Sequence, residues 1–362
     1  MRKIPLSKPF LNDEMREAAL RAMNSGSYIL ATECEAFETE LARYTETAHA
    51  VLSSSWTAAV FMLHQAMRLK AGDEVIVPAH TAFPSIEPMM HWGVKPVFVD
   101  IDETYCLDVD LIEAAITPRT VGILPVHLYG HPANLDAVSA IAQKHGLWVV
   151  EDCAQAQGAL FRDKRVGSIG VAGAFSFFPS KNLTVLGDGG CITTNDDAIT
   201  EKIRMLRNHG RKTKYTHELV GYNLRFNEIQ AAIGRVALRD LNKLNDHRRK
   251  VAARYNERLA GMVQTPVKKS WATPVYHMYV IQTEQRDALA QHLEAKGVGT
   301  GIHYPVPNHR QPAVTRRYPS FSSLPKTEAA VSKVLSLPIH GELPLEDVDL
   351  VCDAIASFFG ER

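Results

Sequence analysis

The chain has 362 residues, of which 46% are hydrophobic and 22% are charged. These fractions are ordinary for a globular protein and exclude a wholly disordered chain. Lysine plus arginine and aspartate plus glutamate each number 40, so the formal net charge is zero and no general nucleic-acid-binding surface is expected. At roughly 100–200 residues per domain, this length predicts two domains.

The five cysteines are widely spread and form neither a CxxC motif nor a Cys/His cluster: Cys34, Cys106, Cys153, Cys191 and Cys352. They predict no disulfide framework and no metal site, and they favour a reducing compartment. No apolar run reaches the length of a signal peptide or the roughly 18 residues of a membrane span. The sequence therefore predicts a cytoplasmic protein with no membrane and no nucleic-acid partner.

Short apolar runs rich in valine and isoleucine alternate with helical patterns in the first half of the chain. Strands are predicted at 74–78, 95–100, 122–130 and 146–153, with helices between them at 110–116 and 134–145. Runs of this kind suit strands that are buried on both faces of a mostly parallel sheet. The alternation predicts an α/β fold with helices on both sides of the sheet.

The second half of the chain predicts a long helix and a smaller unit. Residues 235–260 contain no glycine or proline and carry leucines at a rough helical spacing, which predicts a long helix that leads to a second domain. A strand at 274–282 and a helix at 286–297 follow, so the C-terminal part is an α/β unit. The first 25 residues are expected to form an arm that packs on this unit or on a neighbouring chain.

A serine-rich run, Ser53 to Thr57, follows a predicted strand at 48–52 and precedes a predicted helix at 58–69. Hydroxyls and free backbone N–H groups at the start of a helix can bind an anion such as phosphate. The alternative is an ordinary helix cap, for which serine and threonine are also favoured.

Two acidic residues, Glu151 and Asp152, end a predicted buried strand. Ligands of open α/β sheets bind outside the carboxyl ends of the strands. A buried carboxylate at such an end needs a cationic partner, which is either the protonated ring nitrogen of a ligand or a structural salt bridge.

Lys181 lies among aromatic residues in the segment 175–182, and a glycine-rich turn at 187–190 follows it. Desolvation lowers the pKa of an amine and makes it a nucleophile that forms a Schiff base with a carbonyl. The alternative is a surface lysine whose apolar stem packs on its neighbours.

Asn223 and Arg225 lie on a loop that ends where a predicted helix begins at Glu228, and Asn227 is placed to cap that helix. Neither Asn223 nor Arg225 is needed as a cap. Both side chains can bind an anion, or both can remain in solvent.

Taken in chain order, these motifs are typical of a pyridoxal phosphate (PLP) site. The helix start would bind the phosphate, Asp152 would face the ring nitrogen and Lys181 would bond the aldehyde. The usual nucleotide-binding loops do not compete, because no GxGxxG follows a strand and no GxxxxGK[ST] is present.

Longer segments resemble the DegT/StrS family of sugar aminotransferases, which are PLP enzymes of fold-type I. The matching segments include EDCAQAQGA (151–159), SFFPSKNLTVLGDGGCITTND (176–196), NLRFNEIQAAIG (223–234) and GIHYPVPNHRQPA (301–313). The resemblance implies an α/β fold with a mainly parallel seven-stranded sheet in a large domain and a smaller C-terminal α/β domain. The expected boundaries are an N-terminal arm at 1–25, the PLP-binding domain at 26–245 and the small domain at 246–362.

The resemblance also gives cofactor roles to matching residues. Lys181 is the expected Schiff-base lysine and catalytic acid and base, and Asp152 is the expected catalytic partner of the pyridine nitrogen. Gln155 is expected near the 3-oxygen of PLP. Three further residues match phosphate-binding positions: Trp56, Thr57 and Ser176.

Other matching residues are expected near the substrate or in the neighbouring subunit. Asn223 matches a residue that reaches the phosphate of the partner's cofactor, so the resemblance implies a homodimer with active sites at the interface. Arg225, His303 and Tyr304 are expected near the substrate, with Arg225 a candidate to act in the partner's site.

The implied reaction is a transamination. An amino-acid donor, expected to be L-glutamate, converts PLP to pyridoxamine phosphate, which aminates a keto-deoxysugar, expected to be nucleotide-linked. Such a product belongs to amino-sugar biosynthesis for a polysaccharide or an antibiotic. The alternatives are a keto-cyclitol, a free sugar or an aminobenzoate precursor as substrate, or a non-catalytic regulator on the same fold. A dehydratase branch of the family carries histidine in place of the lysine, and Lys181 argues against it.

Two positions depart from the family pattern. Trp56 stands where glycine or alanine is frequent, so its indole needs a place, such as over the substrate. Ala82 stands where an aromatic residue usually stacks on the PLP ring. His80 or Phe83 would then replace it, or the ring would be covered in another way, so no stacking residue is assigned.

Overall fold

The computed structural model describes residues 3–319 and 321–360. The β-strands of this part of the chain are β1 (His49–Ser53), β2 (Glu74–Pro78), β3 (Lys95–Val99), β4 (Thr120–Ile123), β5 (Trp148–Asp152), β6 (Leu160–Phe161), β7 (Lys164–Arg165), β8 (Ala172–Ser176), β9 (Gly190–Thr194), β10 (Ala272–Thr273), β11 (Tyr279–Gln282) and β12 (Val334–Leu337). The α-helices are α1 (Asp13–Asn24), α2 (Thr32–Thr45), α3 (Trp56–Ala66), α4 (Glu87–His91), α5 (Ile112–Ala115), α6 (Leu135–His145), α7 (Asp197–Leu206), α8 (Glu228–Arg258), α9 (Arg286–Ala295), α10 (Pro312–Thr315), α11 (Pro325–Lys333) and α12 (Leu345–Phe359).

The main sheet has seven strands in the order β1-β9-β8-β5-β4-β2-β3. Strands β8, β5, β4, β2 and β3 pair in parallel, and β9 runs antiparallel to both of its neighbours. All five residues of β2 and of β8 are buried, as expected for strands covered by helices on both faces. The predicted mainly parallel seven-stranded sheet is therefore confirmed.

Two predicted strands were too long. The strand expected at 122–130 ends at Ile123, and the strand expected at 274–282 begins only at Tyr279. Pro125 and Pro274 lie in the two excluded stretches, and a proline has no N–H group to donate to a neighbouring strand. These stretches instead pair with each other, because Val275 N donates to Gly130 O over 3.0 Å.

The long helix α8 belongs to two hydrophobic cores. Its first half packs with the main sheet through residues such as Leu241, and its second half packs in the C-terminal core through residues such as Tyr255. Gly234 permits close contact with Phe37, since a Cβ at this position would lie 2.5 Å from the phenyl ring. The prediction of a long helix joining two parts of the chain is confirmed. The domain boundary expected at residue 245 falls inside α8 and stays a prediction.

The smaller C-terminal domain is built on the antiparallel pair β11 and β12, with α9 and α12 in the same core. The N-terminal arm contacts both domains. Ile4 N donates to Gly297 O over 2.9 Å in the C-terminal domain, whereas Met15 of α1 is fully buried in the core that contains α8. The arm thus packs on its own chain, and residues 1 and 2 lie outside the described part.

All five cysteines are buried free thiols. Among residues 3–319 and 321–360, no helix is both long and apolar enough to cross a membrane.

Candidate active site

A cavity of about 260 Å³ opens at the edge of the main sheet where the parallel strands end. Ligands of α/β sheets bind at this edge because the strand ends and the following loops converge there. The cavity is lined by Ser55, Trp56, Thr57, Ala82, Pro84, Ser85, Asp152, Ala154, Ser176, Phe178, Lys181, Asp188 and Gly189. Five of the residues predicted from the sequence therefore meet in one place: Lys181, Asp152, Trp56, Thr57 and Ser176.

Lys181 lies on the turn that follows β8. Its backbone N–H donates to Phe178 O over 2.8 Å, which fixes the turn, and its side chain is half-buried against the cavity wall. Loss of solvent around the amine lowers its pKa to about 8, while the negative charge of Asp152 opposes this shift. A much larger fraction of this amine is therefore neutral near pH 7 than in a surface lysine.

Asp152 is the last residue of β5 and is 2% exposed. Its Oδ2 accepts a hydrogen bond from Ser85 Oγ at 2.7 Å, and its Oδ1 accepts one from Ala154 N at 3.0 Å. Burial raises the pKa of Asp152 although these donors and the charge of Lys181 act against the shift. A cationic ligand group beside this carboxylate would stabilise its charged form.

Ser85 is a site residue that the sequence reasoning missed. It ends the short 3-10 turn Phe83–Ser85, far from Asp152 in the chain, and no local pattern connects the two. Its hydroxyl also lies 2.9 Å from Thr81 Oγ1, so a second polar contact holds it against Asp152.

Glu151, the other member of the acidic pair, lies on the opposite face of β5. Successive side chains of a strand point to opposite faces, so one sheet position cannot bring both carboxylates to the cavity. Glu151 accepts hydrogen bonds from Gly167 N and Ile169 N and contacts His127 Nε2 at 3.1 Å. Burial acts to raise the pKa of Glu151, but His127 and the backbone donors hold it below its ordinary value. Of the predicted pair, Asp152 alone faces the cavity.

The start of α3 forms the second wall of the cavity. Ser55 caps the helix by accepting from Ala58 N at 3.1 Å, which leaves the backbone N–H groups of Trp56 and Thr57 at the first two helical positions. Such groups have no acceptor within a helix and are available to an anion. Ser176 brings a hydroxyl to the same cavity from the end of β8.

The indole of Trp56 does not lie over a substrate position as suggested from the sequence. Its Nε1 donates to Ala174 O in β8 over 3.2 Å, and the side chain is 6% exposed. The ring is part of the core against the sheet. The bulky side chain is thus tolerated because it points away from the helix start that lines the cavity.

A second hydrogen-bonded group brings the C-terminal domain to this site. Gln155 Oε1 accepts from Tyr129 N at 2.7 Å, and Gln155 Nε2 donates to Tyr304 OH over 3.0 Å. Tyr129 OH donates to His303 O, and His303 Nδ1 lies 2.9 Å from Ser336 Oγ. The structure therefore brings Gln155, His303 and Tyr304 together in one hydrogen-bonded cluster that is not part of the cavity lining, so their roles toward cofactor and substrate stay predictions. The cluster also contains Tyr129, which the sequence reasoning missed.

The ionisable groups of this second cluster have shifted pKa values. Burial raises the pKa of Tyr304 to about 12, although the hydrogen bond from Gln155 acts in the opposite direction. Burial and the nearby charge of Lys181 lower the pKa of His303. Tyr304 is therefore a neutral hydroxyl and His303 a neutral imidazole at neutral pH, and both can donate and accept hydrogen bonds.

Asn223 and Arg225 are not brought to the cavity of their own chain. Asn223 is exposed, and Arg225 Nη1 donates to Asn208 Oδ1 over 3.4 Å. Leu224 between them accepts from Ser54 N at 3.1 Å, so the backbone of the loop lies beside the start of α3. Asn227 stands at the predicted cap position, but its side chain donates to Gln230 Oε1 instead of accepting from a backbone N–H.

The position for a stacking residue is filled by Ala82 and Pro84, which line the cavity. Among the lining residues there is neither His80 nor Phe83, the two candidates named from the sequence. His80 is buried behind the wall, where its Nε2 lies 2.7 Å from Tyr129 OH. The cavity is therefore bordered at this position by an alanine and a proline.

Comparison with known proteins agrees with this architecture. The fold and the cavity define an aminotransferase of the PLP-dependent α/β type. The chain belongs to the DegT/DnrJ/EryC1/StrS aminotransferase family, whose pattern it matches over residues 9–356. A crystal structure of DesV from S. venezuelae superposes with a TM-score of 0.94 at 42% identity, covering 99% of both chains. The chain is thus an enzyme, and the alternative of a non-catalytic regulator is set aside.

Two curated relatives carry the names of nucleotide-sugar aminotransferases. The dTDP-3-amino-3,4,6-trideoxy-alpha-D-glucose transaminase of Streptomyces venezuelae is 44% identical over 348 residues, covering 95% of this chain and 92% of the relative. The UDP-N-acetyl-3-dehydro-alpha-D-glucosamine 3-aminotransferase of Acidithiobacillus ferrooxidans is 42% identical over 347 residues, covering 95% and 94%.

The residues that line the cavity fit PLP, the cofactor of this family. Lys181 offers an amine of lowered pKa for the aldehyde, and Asp152 offers a buried carboxylate for a protonated ring nitrogen. The start of α3 and Ser176 offer neutral donors for the phosphate. The prediction of PLP as the cofactor is confirmed.

Proposed function

We propose that this enzyme transfers an amino group from an amino acid, with L-glutamate as the donor, to the 3-keto group of a nucleotide-linked deoxysugar. The observation that carries the proposal is the meeting of Lys181, Asp152 and the start of α3 in one cavity. The choice of carbon 3 of the sugar is supported by the two curated relatives, whose names both place the amino group at carbon 3. Their nucleotides differ, so the proposal leaves the base open and commits to the 3-keto sugar.

Lys181 is the residue that we propose to bond the cofactor and to move the proton. PLP supplies an electron-withdrawing ring that stabilises negative charge on the carbon next to the amino group. An amine whose pKa is about 8 can accept a proton from that carbon and return it at neutral pH, since its two protonation states are both populated.

Asp152 would hold the proton on the ring nitrogen of the cofactor. The hydrogen bonds from Ser85 and Ala154 fix the carboxylate at the end of β5, so little reorganisation is needed when the ring binds. The burial that raises its pKa also strengthens its interaction with a cation in the cavity.

The phosphate would bind at the start of α3. Trp56 and Thr57 would donate their backbone N–H groups, and Ser176 would donate its hydroxyl. Gln155 Nε2 has two hydrogens, and one of them is donated to Tyr304 OH. The other would be donated to the 3-oxygen of the PLP ring.

His303 and Tyr304 would face the sugar from the C-terminal domain. Tyr129 and Gln155 hold this segment against the large domain through the hydrogen bonds described above. Both side chains are neutral and carry donors and acceptors that suit sugar hydroxyls.

We also propose that the enzyme is a homodimer in which Asn223 and Arg225 serve the partner's site. The support is their position, because they lie beside the start of α3 yet outside the cavity of their own chain. Exposed apolar residues surround the same region of the chain, including Tyr215 at 82% and Val220 at 86% exposure. Large exposed apolar side chains of this kind are typical of protein interfaces.

The cellular location belongs to the same proposal. Five free thiols and the expected metabolite substrates favour the cytoplasm, where cysteines stay reduced.

We further propose three structural units. The arm ends at residue 25 and the PLP-binding domain ends at residue 245, inside α8, where the small domain begins.

The test is an assay of the purified enzyme with L-glutamate and a panel of acceptors. The panel holds dTDP- and UDP-linked 3-keto and 4-keto deoxysugars, a keto-cyclitol and a free keto sugar, with products read by mass spectrometry and NMR. We expect amination of a nucleotide-linked 3-keto sugar and none by Lys181→Ala. Amination confined to 4-keto sugars would refute carbon 3 as the site of amination. Amination confined to the cyclitol or the free sugar would refute a nucleotide-linked substrate.

A further inference from the structure

The side chain of Trp56 connects the start of α3 to the main sheet. Its buried Nε1 donates to the carbonyl oxygen of Ala174 in β8 over 3.2 Å. The same carbonyl oxygen accepts from Cys153 N at 2.8 Å, just beyond the paired residues of β5 and β8. A carbonyl oxygen has two lone pairs, so it can accept both hydrogens. The indole thus joins α3 to the two strands that end in Asp152 and Ser176.

The backbone at the start of α3 is also in close contact with β9. A Cβ on Gly190 would lie 2.5 Å from Trp56 N, and Gly190 is the partner of Ser176 in the pairing of β8 with β9. The backbone of Trp56 therefore lies against one strand while its side chain is bonded to the next. These two contacts fix the position of the first residue of α3.

Trp56 is also a residue whose backbone N–H is proposed to bind the cofactor phosphate. The first N–H groups of a helix have no acceptor within the helix and are available to an anion. A phosphate that is bound by Trp56 N, Thr57 N and Ser176 Oγ together requires a fixed distance between α3 and the end of β8. The indole bond reaches β8 at Ala174, two residues before Ser176, so it joins the two sides of the phosphate site directly.

We propose that the Trp56 side chain is a positioning group for the cofactor phosphate. Its hydrogen bond to Ala174 O holds the start of α3 at the distance from Ser176 at which both can bind the phosphate. The inference rests on the proposed phosphate site at the start of α3. The alternative is an indole that only fills the core against the sheet, and such an indole would affect the phosphate no more than the rest of the cofactor.

The test compares PLP with pyridoxal, which has the same ring and aldehyde but no phosphate. The full-length chain is freed of cofactor and titrated with each compound, and the dissociation constants are read from the absorbance of the bound ring. Trp56→Phe keeps an aromatic ring and removes the N–H donor. Loss of one hydrogen bond changes an affinity by about fivefold. We therefore expect the dissociation constant for PLP to rise about fivefold and that for pyridoxal to change less than about twofold.

Trp92→Phe is the matched control. Trp92 Nε1 donates to Phe61 O over 3.3 Å, so this indole also bonds a backbone carbonyl of α3, but more than one turn away from the start of the helix. This variant should leave both dissociation constants unchanged. Thermal unfolding of the two variants checks the fold.

The two ligands separate the role of Trp56 from the phosphate site itself. If the wild-type chain bound pyridoxal as tightly as PLP, the proposed phosphate site would be refuted and the role of Trp56 with it. A wild-type preference for PLP that Trp56→Phe retains in full would refute the role of Trp56 alone. An equal loss of that preference in Trp92→Phe would also overturn the proposal.

A second measurement leaves Trp56 in place and applies even if Trp56→Phe does not fold. The chain has four tryptophans, so Trp92→Phe, Trp148→Phe and Trp271→Phe identify the indole N–H signal of Trp56 by elimination in ¹⁵N NMR spectra. Each ligand is added at the same multiple of its own dissociation constant. Hydrogen exchange of this N–H should be slowed more by PLP than by pyridoxal, because opening of the indole bond releases the phosphate and not the ring. Equal slowing by the two ligands would contradict the proposal.

Discussion

Asp152 and Lys181 line the same cavity and act on each other in opposite directions. Burial raises the pKa of Asp152, and the charge of Lys181 opposes that rise. Burial lowers the pKa of Lys181 to about 8, and the charge of Asp152 opposes that fall. Burial has the larger effect on both residues, so the cavity destabilises the charged form of each side chain and favours a neutral amine at Lys181. A cationic ring held at Asp152 would restore the carboxylate charge without needing the ammonium.

The rate at which the cofactor-free chain forms its covalent bond with added PLP should follow the neutral form of Lys181. Because the pKa is lowered from its ordinary value to about 8, this rate should rise with pH to a midpoint near 8. Asp152→Asn removes the charge that raises the pKa of Lys181, so its midpoint should lie at lower pH. Stopped-flow absorbance checks both, and a wild-type midpoint above pH 10 would contradict the lowered pKa.

Lys181→Ala should give a folded protein that binds PLP without a covalent bond. Turnover should fall by at least about 10³-fold, because both the covalent attachment and the group that moves the proton are lost. Borohydride reduction followed by mass spectrometry, together with the transamination assay, measures both effects. Lys164→Ala, at an exposed lysine on β7, is the matched control and should behave as wild type. Normal turnover of Lys181→Ala would require another lysine in this role.

Asp152→Asn should retain the covalent bond to PLP and lose about 10²-fold or more in kcat, because a neutral amide does not hold the proton on the ring nitrogen. Ser85→Ala is the control for position, since it removes one hydrogen bond to the carboxylate and leaves its charge. The kcat of Ser85→Ala should fall about fivefold. Equal losses in the two variants would mean that the placement of Asp152, and not its charge, is what the reaction needs.

Asp152 could be predicted from the sequence because it ends a buried strand, at the edge of the sheet where ligands bind, and Lys181 because it lies among aromatic residues in a segment that resembles the family. The Ser85–Asp152 contact could not be predicted in this way. It joins residues 67 positions apart through a turn that has no distinctive pattern. Tyr129 was missed because its apolar surroundings favoured a strand, whereas the structure has a turn there with φ 57°.

The direction in which the Trp56 side chain points also could not be predicted from the sequence. Its presence at the start of α3 is visible in the sequence, but the direction of the indole depends on the carbonyl of Ala174 in β8, which also accepts from Cys153 N. This direction arises from a contact that forms only after the sheet is assembled.

Gly190→Ala should weaken PLP binding and lower the free energy of unfolding. A Cβ at this position would lie 2.4 Å from the carbonyl carbon of Ser55 and 2.5 Å from Trp56 N, so the start of α3 would have to move. Overpacking of this kind costs about 1–3 kcal/mol. Urea titration and the dissociation constant for PLP measure the two effects.

Gly261→Ala is the control for the general cost of replacing a glycine by alanine, away from the start of α3. No heavy atom lies within 4 Å of the Cβ that it would add, and its φ is 82°. It should cost about 1–2 kcal/mol of stability through its left-handed conformation and leave PLP affinity unchanged. If both alanine variants bound PLP as tightly as wild type, the start of α3 would not be the phosphate site.

The shared-site proposal predicts that two inactive variants restore activity when mixed. One variant is Lys181→Ala, and the other carries Asn223→Ala together with Arg225→Ala. If the loop serves the partner's site, a mixed dimer has one site with every residue intact and one site with both defects. Random pairing makes about half of the dimers mixed, so about a quarter of wild-type activity should return.

Differentially tagged chains, co-expressed and purified through both tags, isolate the mixed dimer for this assay. The purified mixed dimer should then have about half of wild-type activity, and each parent variant should stay inactive. The position of the loop makes the experiment decisive, because Leu224 pairs with Ser54 while the side chains of Asn223 and Arg225 remain outside the cavity of their own chain. If the loop served its own chain, both sites of the mixed dimer would be damaged and no activity would return. That result would refute the shared site and leave Lys181 and Asp152 in their proposed roles.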